Sequence, residues 1–164
     1  GVRLDKLLAS RKDSLPFDLQ ISYLKQLCIA LSHAHGRGII HRNICPETIY
    51  ITRDGVVKLA DFDFAKVDGF ATIVDPSIPL IDSEFTPPEL YPDASNASPR
   101  SDLYALGCLW LYMASWPTRE LKINNSQSVP IPQSARDLMQ SLLSHVPAKR
   151  PQSANLLLKE LEKM

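Results

Sequence analysis

The chain has 164 residues, enough for one domain with a substantial core and too few to assume two. It is 45% hydrophobic and 22% charged, and lysine plus arginine balances aspartate plus glutamate at 18 each, so no global field points to nucleic acid or an anionic membrane. Cys28, Cys45 and Cys108 form no C-x-x-C pair, which argues against a zinc site or a disulfide framework and for a reducing, cytoplasmic setting. The longest apolar stretch, Leu103 to Ala114, is well short of the roughly 20 residues of a membrane span. The sequence opens on Gly1 with no signal segment, which suggests a piece of a longer protein.

Along the chain, Leu4, Leu7 and Leu8 are spaced for a short amphipathic helix ending near Ser14–Leu15–Pro16. Leu19, Tyr23, Leu24, Leu27, Cys28, Leu31 and Ala34 share one face of a helix from about Phe17 to His35, stopped by Gly36 and Gly38. The period then changes. Ile49-Tyr50-Ile51 and Val56-Val57-Lys58-Leu59 flank Arg53-Asp54-Gly55, a strong hairpin signal. Residues 63 to 100 are proline-rich and aperiodic, which predicts a long loop of the kind that is usually functional.

Ser98-Pro99 opens a helix from about Arg100 to Ser115 that is apolar nearly all round and so belongs at the centre of the domain. After a linker from Trp116 to Pro132, a helix capped by Ser134, with Asp137 in its first turn, turns Leu138, Met139, Leu142 and Leu143 inward. A final helix from Ser153 to about Lys163 buries Leu156, Leu157 and Leu161. The expected fold class is mainly α: a helical bundle around a buried central helix, with one small β-hairpin.

Five segments then carry a resemblance. His41-Arg42-Asn43-Ile44-Cys45-Pro46-Glu47-Thr48-Ile49 resembles the catalytic loop of protein kinases, H-R-D-L-K-P-x-N followed by an aliphatic residue. Asp61-Phe62-Asp63 looks like D-F-G, and Pro87-Pro88-Glu89 resembles A-P-E. Ser101-Asp102-Leu103-Tyr104-Ala105-Leu106-Gly107 is similar to the start of the family's central helix, and Lys149-Arg150-Pro151 to its late K-R-P. Each is weak alone; five in order, over the whole chain, are strong. The resemblance implies a protein-kinase-like C-lobe over residues 1–164. The Gly-rich loop, the V-A-I-K strand and the rest of the N-lobe are absent from this chain.

The same resemblance shows what has changed. Asn43 stands where the family has the aspartate that accepts the substrate proton, and general-base catalysis is worth roughly 10²–10⁴ in rate. Cys45 stands in place of a phosphate-neutralising lysine, and Thr48 in place of an asparagine that holds a second magnesium. Asp61 remains as the carboxylate that would hold Mg2+ on the phosphates of ATP, while Asp63 replaces a glycine. His41 and Phe62 match a stacked hydrophobic spine. Asp102 matches the anchor of the catalytic-loop backbone. Glu89 and Arg150 match a buried ion pair, and Arg42 the arginine that meets a phosphorylated activation loop, for which Thr72, Ser77 and Ser83 are candidate acceptors.

The remaining constellations are bland. His33 and His35, two apart on a helix, do not share a face as a metal pair would. Trp110, Trp116, Tyr104 and Tyr112 read as packing rather than a stacking platform for bases. The segment Trp116 to Pro132 is shorter than a kinase's substrate-docking region. The leading expectation is a regulatory or scaffolding pseudokinase lobe, whose partner is a protein or another domain of the same chain. A divergent active serine/threonine kinase using ATP and Mg2+, and a module that binds ATP without turnover, are the rivals.

Overall fold

The computed structural model of the protein describes residues 1–69, 84–118 and 130–164. In chain order the regular elements are β1 (Val2–Arg3), α1 (Leu4–Ala9), α2 (Phe17–His35), β2 (Ile39–Ile40), β3 (Ile49–Ile51), β4 (Val57–Leu59) and β5 (Lys66–Val67). Then follow α3 (Pro99–Ser115), α4 (Gln133–Leu142) and α5 (Ala154–Leu161). The fold is mainly helical with two small antiparallel sheets, one ordered β1-β3-β4 and one pairing β2 with β5.

Helix α3 is the axle of the core. Every residue from Ser101 to Ala114 is buried, because the helix carries small or apolar groups on all sides and so can be surrounded. Its two buried polar exceptions, Ser101 and Asp102, both find partners. Trp110 is fully enclosed and donates its indole N–H to Gln20 Oε1 at 3.2 Å, while Gln20 Nε2 donates to the Leu15 carbonyl at 2.7 Å. A buried amide with both ends bonded avoids the cost of an unmet polar group. On the α4 side, a methyl group added at Gly107 would lie 2.7 Å from Leu142 Cβ, so the missing side chain is what lets α3 and α4 close.

The expected hairpin forms from β3 and β4, with Ile49 opposite Leu59 and Ile51 opposite Val57. Its outer margin is finished by a helix side chain: Gln26 Nε2 donates to the Gly55 carbonyl at 3.2 Å and Gln26 Oε1 accepts the Val57 amide at 2.9 Å. Gly55 sits at φ +77°, which supplies the left-handed turn that Asp-Gly announced.

Several expectations need correction. Helix α1 stops at Ala9, with Ser10 closing it, rather than near Ser14. Gly36 has a right-handed φ of −63°; the left-handed residue is Gly38, at +70°. Ser134 is not a cap and Asp137 is not in a first turn, because α4 begins at Gln133 behind Pro132. A proline ring with fixed φ started the helix where no side-chain acceptor was needed. In α5, capped by Ser153, Leu157 and Leu161 are buried but Leu156 is exposed; one step around the helix from Leu157 carries it off the core face. Val56 lies outside β4 and is exposed. The aperiodic stretch after residue 63 contains β5, too short for its pattern to register against β2.

Candidate functional site

The start of α3 meets the end of α2 and the loop after β2 at one carboxylate. Asp102, 1% exposed, accepts the backbone amides of His41 and Arg42 at 2.9 Å each, and lies 2.7 Å from His35 Nε2. Two backbone donors and an imidazole engage both of its oxygens, so the loop that follows is fixed relative to α3. Arg42 itself takes φ +64°, a left-handed conformation that costs a non-glycine residue roughly 1–2 kcal/mol. The two amide bonds at Asp102 hold it there. Arg42 is 9% exposed; its Nε donates to the Phe64 carbonyl, and among the described residues its buried Nη1 and Nη2 meet no hydrogen-bond partner. Burial lowers its pKa, partly offset by Asp102.

His41 is fully buried. Its Nε2 contacts the Ala60 carbonyl at 2.8 Å, and the Asn43 amide donates to its Nδ1 at 3.2 Å. A donor at one nitrogen and an acceptor at the other define the neutral Nε2–H tautomer. Desolvation agrees: it pushes the imidazole pKa below its ordinary value, against the opposing pull of the Ala60 hydrogen bond. The ring meets Phe62 edge-on with centroids 4.5 Å apart. The two rings thus meet edge to face, with Phe62 42% exposed.

Asn43, Cys45 and Thr48 come together in one short turn. Pro46–Thr48 form a single 3-10 turn behind Cys45. The Thr48 hydroxyl lies 3.0 Å from both the Asn43 and Cys45 carbonyls and accepts the Cys45 amide at 3.2 Å. The Cys45 thiol sits 4.0 Å from Asn43 Oδ1 and 3.9 Å from Thr48 Oγ1. Burial raises the pKa of that thiol, so it is neutral rather than a thiolate. The turn holds an amide, a thiol and a hydroxyl. None of these three side chains is a carboxylate base or a cation, and the hydroxyl is committed to the loop backbone; the one carboxylate in the turn, Glu47, is exposed and acts on the Cys45 thiol.

Asp61 follows Ala60 at the end of β4 and takes φ +63°, ψ +59°. Its carboxylate is exposed, on the rim of the same loop. Asp63 lies in the 3-10 turn Phe62–Phe64 and is not among the positive-φ residues, so this backbone does not use the freedom of a glycine there. Among the described residues no cluster of three or more histidine, cysteine or acidic side chains could hold a metal by protein ligands alone. Thr72, Ser77 and Ser83 lie outside the described residues, as does most of the linker between Trp116 and Pro132.

Glu89 and Arg150 form a two-pronged ion pair, 2.6 Å and 2.8 Å, with the arginine side chain wholly buried. Arg150 also bonds the Arg100 and Ser144 carbonyls at 2.9 Å and 2.8 Å and covers the face of Tyr104 at 4.7 Å. Burial alone would raise the Glu89 pKa; the Arg150 and Ser101 hydrogen bonds outweigh it, and the carboxyl lies below its ordinary value. Ser101 joins the two systems, donating to Glu89 at 2.9 Å and accepting the Ser98 amide at 3.1 Å. Sequence reasoning missed His35 as a member of this site. The signal it lacked was spatial, since His35 and Asp102 are far apart in the chain.

A helical fold around a buried axial helix, with a carboxylate that pins an H-R-N loop and a distant ion pair that pins a P-P-E segment, is consistent with a kinase-like fold. The protein kinase domain family description matches residues 1–161, and the chain belongs to that family. It is 30% identical to a probable serine/threonine-protein kinase of Clostridium perfringens, over 97% of this chain and 25% of that one. It is 37% identical to the serine/threonine-protein kinase PknL of Mycobacterium tuberculosis, over 66% of this chain and 27% of the other. With 3-phosphoinositide-dependent protein kinase 1 of Arabidopsis thaliana it shares 31% identity, over 87% of this chain and 33% of the plant protein. The chain thus spans between a quarter and a third of these relatives.

Proposed function

We propose that these residues are the C-terminal lobe of a pseudokinase, a module that regulates or scaffolds through protein contacts and does not transfer phosphate. One observation carries this reading: Asn43, Cys45 and Thr48 satisfy one another inside a closed turn. Base, cation and second metal ligand are all missing from the positions where the family resemblance puts them. The parts that maintain shape are intact by contrast, with Asp102 and the Glu89–Arg150 pair fully bonded. The partner in this reading is a protein or another domain of the same chain. The neutral charge balance and the lack, among the described residues, of any helix long and apolar enough to cross a membrane give no support to a nucleic acid or a bilayer.

Family membership implies ATP and Mg2+ for an active member. The residues fit half of that requirement. Asp61 offers an exposed carboxylate to a magnesium ion, whereas the Thr48 hydroxyl is held by two carbonyls and is unsuited to a second one. Residual nucleotide binding through Asp61 is therefore part of the proposal, and turnover is not. The test is magnesium-dependent ATP binding and γ-phosphate transfer on the full-length protein, with Asp61→Ala as control. Binding lost in the control, with no transfer, supports the reading. Transfer abolished by Asp61→Ala overturns it and establishes a divergent active kinase.

A further inference from the structure

Four hydrogen bonds close a ring across the site. His41 Nε2 donates to the Ala60 carbonyl at 2.8 Å. The Ala60 amide donates to the Thr48 carbonyl at 2.9 Å. The Thr48 hydroxyl donates to the Asn43 carbonyl at 3.0 Å, and the Asn43 amide returns to His41 Nδ1 at 3.2 Å. The ring lies mostly out of water: Thr48 is 3% exposed and His41 is fully buried. Hydrogen bonds in such surroundings reinforce one another and are costly to leave unmade. Two side chains take part. His41 supplies both of its nitrogens, and Thr48 supplies the one hydroxyl that joins the end of the turn to its beginning.

We propose that Thr48 is a positioning residue: its hydroxyl closes the ring that locks the Asn43–Thr48 turn to Ala60 and, through Ala60, sets the backbone of Asp61. The chemistry at Thr48 makes this specific. The hydroxyl shares its one proton between the Asn43 and Cys45 carbonyls, each at 3.0 Å, and accepts the Cys45 amide in return. A valine of the same shape fills the volume and does none of this. Asp61, next in the chain to Ala60, is held at φ +63°, a conformation that persists only where its surroundings over-determine it. The ring supplies such a constraint from protein atoms. The inference deepens the pseudokinase reading by naming what orients its remaining carboxylate, yet it concerns the ground-state structure and not turnover.

Amide hydrogen exchange on the full-length protein, without nucleotide, tests it. Thr48→Val is expected to speed exchange at Asn43 and Ala60 on the order of tenfold, as well as at Cys45, while the β3–β4 ladder stays protected. Thr48→Ser keeps the hydroxyl and restores wild-type protection at all three. Acceleration confined to Cys45, or a serine variant as fast as the valine one, overturns the proposal. Should Thr48→Val fail to fold, the wild-type protein still decides: a closed ring requires Asn43 and Ala60 to open together, with the same dependence on denaturant, and different dependences refute it. The pseudokinase reading fails separately, on observed phosphate transfer, whatever the exchange pattern shows.

Discussion

The imidazole of His35 lies 2.7 Å from the Asp102 carboxylate and joins the last turn of α2 to the first turn of α3. The same carboxylate holds the His41 and Arg42 amides, so one acidic group organises two helices and the loop between them.

Removing the two partners should therefore have unequal effects. His35→Phe takes away one of three donors and should cost about 1–3 kcal/mol. Asp102→Ala strands both backbone amides, buried, and should cost more than His35→Phe by about the same amount again. Denaturant titrations of the two variants check this ordering; equal costs would mean that the loop does not depend on the carboxylate.

The Glu89–Arg150 pair is expected to be expensive to break singly. Arg150→Met leaves Glu89 without its counter-ion and the Arg100 and Ser144 carbonyls without a donor, a loss of about 3–5 kcal/mol. Adding Glu89→Gln to Arg150→Met should recover part of that loss, because no charge is then stranded. A double-mutant cycle reads the coupling directly, and purely additive costs would show that the two side chains do not act as a unit.

Acid should destabilise the fold in two steps. The His41 pKa is below its ordinary 6.5 in the folded chain, so between that value and the folded one the unfolded imidazole binds more protons. Its contribution is complete above about pH 6.5 and declines as pH falls through the folded value. Glu89, also lowered, follows the same sign below its ordinary 4.5. Urea midpoints measured from pH 8 to pH 4 should fall on acidification, starting near neutrality. His41→Gln should remove the first step, and a midpoint that rises on acidification would contradict the neutral tautomer.

Gly107→Ala should destabilise the chain, although alanine is the better helix former by about 1 kcal/mol. The new methyl would meet Leu142 Cβ at 2.7 Å, an atom that cannot move without its backbone. Overpacking of that kind costs about 1–3 kcal/mol. Thermal melts decide the sign.

Restoring Asn43→Asp alone should leave the full-length protein without phosphate transfer, since Cys45 and Thr48 still supply neither cation nor metal ligand. The triple variant with Cys45→Lys and Thr48→Asn is the one in which radiolabel transfer is expected. Turnover from the single variant would mean that the other two positions are dispensable.

Long periodic segments are readable in the sequence itself. Helix α2 begins and ends where its apolar face does, and α3 announced its central place by being apolar all round. The Asp-Gly turn fixed the hairpin because its backbone requirement is local. What stayed hidden was non-local or marginal. Pairing between β2 and β5 involves two residues on each side, too few for a pattern, and His35 meets Asp102 only once the helices are assembled. Thr48 could be read as a substitution in a motif. That its hydroxyl closes a ring was visible only in three dimensions.

The two bonds from Gln26 to Gly55 and Val57 bear on how this molecule behaves in company. A strand margin with unmet amides and carbonyls is a template on which a neighbouring chain can add itself. Gln26 occupies the start of that template with a side-chain amide of matching shape, taking the Gly55 carbonyl and the Val57 amide that an added strand would need. One glutamine on a helix, well away from the residues that define the family, thus makes that side of the turn less open to an added strand.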